Sequence, residues 1–340
     1  MLKTLSVIIP MYNAAPYIEK CLNSLLLSKP YMDKLDILVV NDGSTDGCES
    51  LVTPYIDQYK DSIRLLNKEN GGHGSTINYA LPFCRGTYLK VLDADDWVAT
   101  SNIEAFMNYL SHVDTADIVL SPYQTYDIQK NEYQLIHVDD RQCILTMDEL
   151  TDRWSEYKNI CSLHAITYHT DFYRQCSSKL PEHVYYDDAF YSTIPAYQAK
   201  KIAITNLPLY VYRIGDVNQS VSSTNRAKRI HQLETVIWSM YDAYDETVDT
   251  CNQIYFYRRI TSAIADYLIT ACLRYPVRHS GRMLAKTFMK KLQKRSHTLY
   301  QYSRNKFWLL YILSLFGVKE ALFCKCMLAF QKKQQEGALM

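Results

Sequence analysis

The sequence predicts an α/β fold with a Rossmann-like, mostly parallel sheet, helices on both faces of that sheet, and a C-terminal helical region. Within the first hundred residues, short β-branched apolar runs alternate with amphipathic stretches of about 10 to 15 residues, which is typical of βαβ units. Several apolar runs end in acidic or polar clusters, and doubly wound sheets bind ligands at the carboxyl ends of their strands. From about residue 225 the periodicity is almost wholly helical, so we predict a first domain at 1–222 and a second region at 223–340.

Four apolar runs are continuous enough to form strands that are buried on both faces. In chain order they are "LSVIIP", "LDILVVND", "SIRLLN" and "GTYLKVL". The stretches "PYIEKCLNSLLL", "GCESLVTPYIDQYK" and "GSTINYAL" lie between them and have the apolar spacing of connecting helices. Farther on, "ADIVLSPYQTYD" and "KKIAITNLPLYVYRI" indicate strands, and "KLPEHVYYDDAFYSTIPAYQA" between them predicts a loop that runs into a helix.

The composition indicates a globular chain in a reducing compartment. With 340 residues, of which 48% are apolar, the chain can fill a substantial core, which excludes disorder of the whole chain. The ten cysteines form no Cys-x-x-Cys pair, and the N-terminal run "LSVIIP" is too short for a signal peptide. We therefore expect free thiols and a cytoplasmic location.

Charge is distributed unevenly along the chain. The net charge is +1, but residues 271–318 contain ten Lys or Arg and no Asp or Glu, so the remainder carries 1 − 10 = −9. Basic residues recur at every fourth position from Arg274 to Lys294 and precede an apolar run from Phe307 to Phe316. That run is shorter than the about 20 residues that span a bilayer. A basic ridge beside a short apolar helix fits contact with an anionic membrane surface through residues 274–316, on the inner face of the plasma membrane. The alternative is that the apolar run packs on the core and the ridge is solvated.

The turn "NDGSTDG", residues 41–47, follows the second predicted strand. Asp42 stands at the carboxyl end of that strand, where its carboxylate can accept a hydrogen bond from a ligand N–H such as that of a nucleobase. The same residue types favour tight turns and helix N-caps, so capping of the next helix by Ser44 or Thr45 is an alternative interpretation.

The cluster "DADD" ends the fourth predicted strand and places Asp93, Asp95 and Asp96 within four positions. Like charges this close raise one another's pKa and cost folding energy unless another group compensates them. Mg²⁺ and Mn²⁺ bind one or two carboxylates together with phosphate oxygens and water, so a metal-bridged nucleotide would remove that cost. The alternative is that Asp96 caps the following helix and the other two carboxylates are solvated.

Five motifs occur in a set order along the chain. They are "LSVIIPMYN", "VVNDGSTD", "KENGGHGSTINYAL", "GTYLKVLDADDW" and "YYDDAFYSTIPAY". Each motif is weak alone, but the series resembles the family 2 inverting glycosyltransferases of the GT-A fold. The resemblance covers roughly residues 5–222, about two thirds of the chain.

The resemblance implies a nucleotide-sugar site built from these motifs. The residues that it implies to bind the nucleotide sugar are Pro10, Tyr12, Asn13, Asp42, Ser44, Asn70, Gly71, Asp93, Asp96 and Arg213. It implies that Asp95 and Asp93 hold a divalent metal, Mn²⁺ or Mg²⁺. Gly72 and Asn78 also match the third motif, whereas His73 stands where a small or aliphatic residue is commoner.

The acidic pair Asp187 and Asp188 is similar to the family's Glu-Asp pair before a helix. The resemblance implies that Asp188 is the catalytic base, which deprotonates the acceptor hydroxyl as it attacks the sugar. Asp in place of Glu at position 187 keeps the charge but shortens the side chain. Both acids would also be stabilised simply by standing at a helix N-terminus. Arg213 and the stretch Asn218 to Ser222 are implied to fold over the diphosphate.

The resemblance implies transfer of a hexose or N-acetylhexosamine from a nucleotide diphosphate sugar to a glycan or lipid-linked acceptor in cell-surface polysaccharide synthesis. UDP is the expected nucleotide. One alternative is a nucleotidyltransferase that makes nucleotide sugars, which would need a basic, Gly-rich loop where this chain has "PMYNAAPY". Another is a nucleic-acid-binding protein that uses the basic segment. The acidic remainder of the chain opposes this, and we expect no nucleic-acid partner.

Overall fold

The structure of the protein, a computed structural model, describes residues 2–113, 115–138, 142–176, 178–216, 223–247, 250–320 and 322–323. Its strands are β1 Lys3–Met11, β2 Leu35–Asp42, β3 Ile63–Lys68, β4 Gly86–Val91, β5 Trp97–Val98, β6 Ile118–Leu120, β7 Tyr123–Asp127, β8 Glu132–Ile136, β9 Cys143–Leu145, β10 Ile166–His169, β11 Ile202–Ile204 and β12 Tyr210–Ile214. Its α-helices are α1 Ile18–Ser24, α2 Lys29–Met32, α3 Cys48–Gln58, α4 His73–Ala80, α5 Thr100–His112, α6 Met147–Asp152, α7 Trp154–Tyr157, α8 Thr170–Gln175, α9 Asp188–Tyr191, α10 Ser223–Lys228, α11 Ile230–Asp242, α12 Thr250–Ile269, α13 Arg278–Arg295 and α14 His297–Leu315.

The strands form two sheets. The larger sheet has the order β3-β2-β1-β4-β10-β6-β11-β9, and the smaller has the order β5-β12-β7-β8. In the first half of the larger sheet β1 pairs in parallel with both β2 and β4, and β2 pairs in parallel with β3. These are the four strands that the sequence predicts, and the predicted α/β class with a mostly parallel sheet is confirmed.

Burial explains why the parallel half forms from these residues. Every residue of β2 is buried, and so is nearly every residue of β1, so both faces of these strands are covered. A strand in that position must be apolar on both sides, which is why the runs around Val7 and Val39 do not alternate. The order of the parallel strands brings the carboxyl ends of β1, β2 and β4 to one edge of the sheet.

The second half of the larger sheet contains pairings that the apolar pattern does not reveal. β10 lies between β4 and β6 and runs antiparallel to both. The two later apolar runs are each divided between the sheets: β6 and β11 enter the larger sheet, and β7 and β12 enter the smaller. Pro122 and Pro208 stand between the members of each pair, and proline interrupts a strand because it has no N–H to donate.

The chain divides into two compact units, one comprising Met1–Asp216 with Trp238–Phe256 and the other Val217–Ile237 with Tyr257–Met340. The boundary predicted between 222 and 223 stays a prediction. Within the described residues no helix is both long enough and apolar enough to cross a bilayer. The cysteines of the described part whose side chains are placed are free thiols.

In the second unit, the first part of the basic ridge is used for packing. Arg274 pairs with Asp266 at 2.8 Å and with Glu320 at 2.5 Å. Arg278 Nη2 donates to the carbonyl of Gly317 at 2.7 Å, just beyond the C-terminus of α14, where the helix dipole favours a cation. These arginines are therefore not simply solvated.

Helix α14 has one buried and one exposed apolar face. Phe307 and Leu310 are buried within the unit, which is the packing that the alternative interpretation expects. Five further apolar side chains of the same run are about half exposed or more, whereas Tyr311 and Leu313 are intermediate. The five are Trp308, Leu309, Ile312, Leu315 and Phe316. We call these five residues, the last of which is the C-cap of the helix, the exposed face of α14.

Lys90 is a buried lysine in the middle of the larger sheet. Its Nζ donates to the carbonyls of His164 at 2.8 Å and Ile166 at 3.2 Å, and the residue is 1% exposed. Burial disfavours the charged ammonium and lowers the pKa of Lys90 from 10.5 to about 7.

We expect Lys90→Met to change how stability depends on pH. Between pH 7 and 9 the unfolded chain keeps the proton on Lys90 and the folded chain releases it. The unfolded state then binds more protons, so the free energy of unfolding of the wild type, relative to Lys90→Met, should rise by roughly 1 kcal/mol per pH unit. Urea denaturation at pH 7, 8 and 9 measures this difference, and the exposed Lys60→Met is the control. If the difference in free energy of unfolding between the wild type and Lys90→Met does not vary with pH, the lowered pKa of Lys90 is contradicted.

Candidate active site

The loops after β1 and β2 are joined by hydrogen bonds in both directions. The N–H of Asn13 donates to Ser44 Oγ at 3.0 Å, and the N–H of Thr45 donates to Asn13 Oδ1 at 2.8 Å. Asn13 has a φ of 49°, a left-handed conformation that Asn adopts more readily than most residues. The N-cap of α3 is Gly47, so the alternative that Ser44 or Thr45 caps this helix is wrong. Ser44 and Thr45 instead bond Asn13 and so connect the loop after β2 to the loop after β1.

Asp42 organises the glycine-rich loop that precedes α4. Its carboxylate accepts from the N–H of Gly71 at 2.9 Å, the N–H of Gly72 at 2.8 Å and Lys68 Nζ at 2.7 Å. Asn70 Nδ2 donates to the Asp42 carbonyl at 3.0 Å, and Gly72 has a φ of 86° that favours glycine. Asp42 is 2% exposed. The nucleobase contact implied for Asp42 stays a prediction, and its carboxylate already serves to shape this loop.

The three carboxylates that follow β4 differ in their surroundings. Asp96 is buried and accepts from the Tyr210 hydroxyl at 2.5 Å and from the N–H of Arg213 at 2.7 Å. The Asp93 side chain is 29% exposed and that of Asp95 38%, with Arg213 Nη1 at 4.0 Å from Asp95 Oδ2. Helix α5 begins only at Thr100 with Ala99 as its N-cap, so the alternative that Asp96 caps a helix is wrong.

The pKa values of the three carboxylates are driven apart. Burial, together with the charge of Asp93, raises the pKa of Asp95 to about 6. Burial and the charges of both neighbours raise the pKa of Asp96 well above its usual value. Burial also acts to raise the pKa of Asp93, but the hydrogen bond and charge of His73 outweigh this and leave it lowered. The repulsion expected from the sequence is present, and a histidine compensates part of it.

His73 joins two acidic motifs that are far apart in the sequence. Its Nδ1 lies 2.7 Å from Asp187 Oδ2, and its Nε2 lies 3.0 Å from Asp93 Oδ1. Burial lowers the pKa of His73, but the charge of Asp187 and the hydrogen bonds to both carboxylates raise it more, to well above 6.5. Carboxylate oxygens accept hydrogen bonds, so the contacts at both ring nitrogens fit an imidazolium that donates to each acid.

The loop that carries the acidic pair is anchored on α4. Asn78 exchanges hydrogen bonds with the backbone of Leu180 at 2.9 and 3.0 Å. A Cβ on Gly74 would lie 2.6 Å from the carbonyl oxygen of Pro181 and 3.0 Å from Asp187 Oδ2, so only glycine permits this approach. Asp187 is 3% exposed, whereas Asp188, the first residue of α9, is exposed.

Tyr212 has a phenol whose pKa is affected by several of the acidic residues. Burial raises the pKa of its phenol, and the charges of four carboxylates raise it further. In order of effect these belong to Asp96, Asp93, Asp188 and Asp95. The charge of Asp188 therefore acts on the same phenol as the charges of the three acids that follow β4.

His164 adds a nitrogen close to two of these acids. In the part of the chain that the structure describes, ligand atoms of Asp93, Asp96 and His164 lie within 4.8 Å of one another, and this grouping does not include Asp95. His164 stacks on Tyr212 with ring centroids 4.2 Å apart, and its buried Nδ1 has no hydrogen-bond partner. Burial lowers the pKa of His164 to about 4, so the ring is neutral at pH 7 and able to bind a metal. The carboxylates of this grouping fit Mn²⁺ or Mg²⁺, whereas an imidazole is a less usual ligand for either ion.

The remaining predicted residues lie around the same edge. Pro10 is buried within β1 and pairs with Val40, whereas the Tyr12 side chain is 55% exposed beyond the strand. The Arg213 guanidinium lies 4.7 Å from the centre of the Tyr17 ring and bonds Asp216 at 3.0 Å. The predicted stretch 218–222 lies outside the described residues.

Sequence reasoning missed the roles of His164 and Tyr210. Neither lies in one of the five motifs: His164 stands in the turn before β10, and Tyr210 is the first residue of β12. His73 did carry a signal, since it departs from the commoner residue in the third motif. Its two partners could not be named from that departure.

The chain is similar to known proteins in both sequence and fold. The family described as "Glycosyl transferase family 2" matches residues 6–176, just over half of the chain. An uncharacterised glycosyltransferase of Mycoplasma pneumoniae, the MG025 homolog, is 39% identical over 123 residues, which are 36% of this chain and 40% of that protein. The minor teichoic acid biosynthesis protein GgaB of Bacillus subtilis is 27% identical over 230 residues, 66% of this chain and 24% of GgaB. This chain thus spans less than half the length of either relative.

Among solved structures, Staphylococcus aureus TarS residues 1–349 in complex with UDP-GlcNAc is similar in fold. The TM-score is 0.60 with 18% identity, over 92% of this chain and 90% of that one. This likeness supports the predicted GT-A fold, and the family match extends through β1, β4 and the cluster that follows β4. On these grounds the chain belongs to glycosyl transferase family 2.

Proposed function

We propose that the chain is an inverting glycosyltransferase that moves a hexose or an N-acetylhexosamine from a UDP-sugar to a hydroxyl of a glycan or lipid-linked acceptor. The observation that carries the proposal is that His73 contacts both Asp93, in the acidic cluster after β4, and Asp187, the residue before Asp188. The likeness to TarS, whose structure contains UDP-GlcNAc, supports the UDP-sugar donor. The similarity to GgaB, named for minor teichoic acid biosynthesis, supports a role in cell-surface polymer synthesis.

In the proposed reaction, Asp188 is the base. The acceptor oxygen attacks the anomeric carbon from the face opposite the diphosphate and forms the new C–O bond. The bond from that carbon to the diphosphate oxygen breaks, and its electron pair leaves with the nucleotide diphosphate. The Asp188 carboxylate takes the hydroxyl proton, and its exposure leaves it open to an acceptor. Configuration is inverted, and no covalent enzyme intermediate forms.

The donor is proposed to bind along the carboxyl ends of β1, β2 and β4. The ring of Tyr12, more than half exposed beyond β1, offers a face for stacking on the nucleobase. Asn13 and the loop at Asn70 and Gly71 frame the same edge, and Arg213 supplies a cation for the diphosphate. The other nucleotide contacts proposed here are Pro10, Asp42, Ser44, Asp93 and Asp96.

Two donor sets for a divalent metal share Asp93. One adds Asp95, as the motif implies, and the other adds Asp96 and His164, whose ligand atoms are close together. We favour Asp95, because its side chain is 38% exposed whereas both Asp96 oxygens already accept hydrogen bonds. When bound, Mn²⁺ or Mg²⁺ would neutralise charge on the leaving diphosphate.

We further propose that the second unit contacts an anionic membrane surface through residues 274–316. The exposed face of α14 would enter the lipid interface. Lys290, Lys294, Arg304 and Lys306 are exposed on α13 and α14, where they can attract anionic headgroups. Arg274 and Arg278 are excluded from this role, because they are bound to groups of their own unit.

We expect Asp188→Asn to lower kcat on the best donor by about 10³-fold, since it removes the base but keeps the side-chain shape. A turnover screen of UDP-, GDP- and dTDP-sugars first identifies that donor. The donor KM should stay within about threefold, because the change leaves ground-state binding intact. Asp171→Asn, an acid at the start of the short helix α8, is the control. Full turnover by Asp188→Asn would rule out this base.

We expect a chelator to abolish turnover and Mn²⁺ to restore it. Asp95→Asn should weaken Mn²⁺ binding in the presence of UDP by about 10- to 100-fold, because it removes a charged ligand. Binding is measured by titration calorimetry without a sugar donor. His164→Asn tests the other donor set and should change the affinity by less than about threefold. The opposite ranking of the two variants would assign the metal to Asp96 and His164.

We expect the wild type to sediment with phosphatidylglycerol vesicles and not with phosphatidylcholine vesicles. A variant with Trp308, Leu309 and Phe316 changed to Ser should lose about tenfold or more in vesicle affinity, because it removes exposed apolar area. Ile144→Ser, an exposed apolar residue of the first unit, is the control. Equal binding of the triple variant and the wild type would contradict the proposed surface.

A further inference from the structure

His73 is the first residue of α4 and contacts a carboxylate at each ring nitrogen. Asp93 is 20 residues from it in the sequence and Asp187 is 114 residues away. Asp93 belongs to the cluster at the end of β4, and Asp187 immediately precedes Asp188. One imidazole thus connects the carboxyl ends of β1, β2 and β4, where the sugar donor is proposed to bind, with the residue next to the proposed base. We call this edge of the sheet the donor edge.

The position of His73 opposes the local preference of the chain. A helix N-terminus carries a partial positive charge and favours acidic side chains, so the helix itself does not favour a histidine as the first residue of α4. The two carboxylates overcome this, with contacts at 2.7 and 3.0 Å. A residue that violates a local rule and is held by distant partners is typical of a functional site.

The loop that bears Asp187 is shaped to reach this histidine. The N–H of His183 donates to the carbonyl of Gly71 at 2.6 Å, so the loop is bonded to the segment just before His73. At Gly74, in the first turn of α4, a Cβ would meet the Pro181 carbonyl oxygen at 2.6 Å. The close approach of loop and helix therefore depends on the absence of a side chain at position 74.

We propose that His73 is a positioning residue that holds the carboxylates of Asp93 and Asp187 in a set relation, and so places Asp188 relative to the donor edge. The inference rests on the proposed function of Asp188. Asp187 is buried and Asp188 follows it with an exposed side chain, so the bond from His73 fixes the peptide that leads into the base. A displacement of about 1 Å between reacting groups can cost about 10²-fold in rate.

Two substitutions of His73 each keep one of its two hydrogen bonds and remove the other. The amide nitrogen of Asn matches the Nδ1 position of His, and that of Gln matches the Nε2 position. His73→Asn therefore keeps the donor to Asp187, and His73→Gln keeps the donor to Asp93. Each variant breaks the connection between the two carboxylates while retaining one bond.

We expect both variants to lower kcat by about 10²-fold on the best donor. His73→Gln should keep the donor KM within about threefold, because Asp93 keeps its partner. His112→Gln, an exposed histidine on α5, is the control and should match the wild type. Assays are run well below the melting temperature of every variant, so that loss of folded protein does not enter kcat.

A second readout uses the protein without donor or metal. Melting temperatures of His73→Ala, Asp187→Ala and the double variant form a cycle. His73→Ala leaves the buried Asp187 carboxylate without this partner, and Asp187→Ala removes one of the two carboxylates that His73 contacts. Each single change should therefore lower the melting temperature by about 5 °C or more, and the double variant by clearly less than the sum. Additive shifts would show that the bridge does not form and would overturn the inference.

The inference that His73 positions Asp188 would also be overturned if either His73→Asn or His73→Gln had the kcat of the wild type, since each variant has lost one of the two bonds. A kcat loss that disappears when the assay temperature is lowered would indicate a merely structural role and would also overturn it. Absence of any turnover in the wild type contradicts the proposed function instead. If instead only the role of His73 is wrong, the wild type, His73→Asn and His73→Gln all turn over, so the two failures can be told apart.

Discussion

The concentration of carboxylates at one edge of a buried sheet is the constraint on which the rest of the site depends. Each acid at that edge is satisfied in a different way. Asp42 is held by backbone N–H groups and a lysine, and Asp96 by the Tyr210 hydroxyl and a backbone N–H. Asp93 and Asp187 share the imidazolium of His73. Neutral dipoles and the cations Lys68, His73 and Arg213 thus reduce the repulsion among these acids, and Asp95 and Asp188 keep exposed side chains.

This division gives the N-terminus of α4 its importance. The glycine-rich loop before the helix is shaped by Asp42, the first helical residue reaches two acids, and Asn78 anchors the loop of the acidic pair. Such supporting contacts hold catalytic groups more accurately than loops do alone. The elements that carry the chemistry are short, and α9 has only four residues. Their positions therefore depend on these hydrogen bonds more than on helix length.

In the second unit, some basic residues take part in packing and others lie on the surface. Its basic residues are not equivalent, although the sequence presents them as one regular ridge. Arg274 and Arg278 are engaged with acids and helix-end carbonyls, where a cation is favourable. Helix α14 divides its apolar residues between a buried face and an exposed one. A regular spacing of like charges thus contains both packing residues and surface residues, and only burial separates them.

The sequence by itself determined the fold class, the four parallel strands and the edge at which Asp42 and Asp93 lie. Continuous apolar runs must be buried on both faces, and parallel strands end at the same side of a sheet. Strand β10 could not be foreseen, because four residues become a strand only through the neighbours they pair with. The approach of His164 to Asp93 follows from that pairing. The sequence also marked His73 as unusual, but its partners lie 20 and 114 residues away, and only the tertiary structure could bring both carboxylates to one ring.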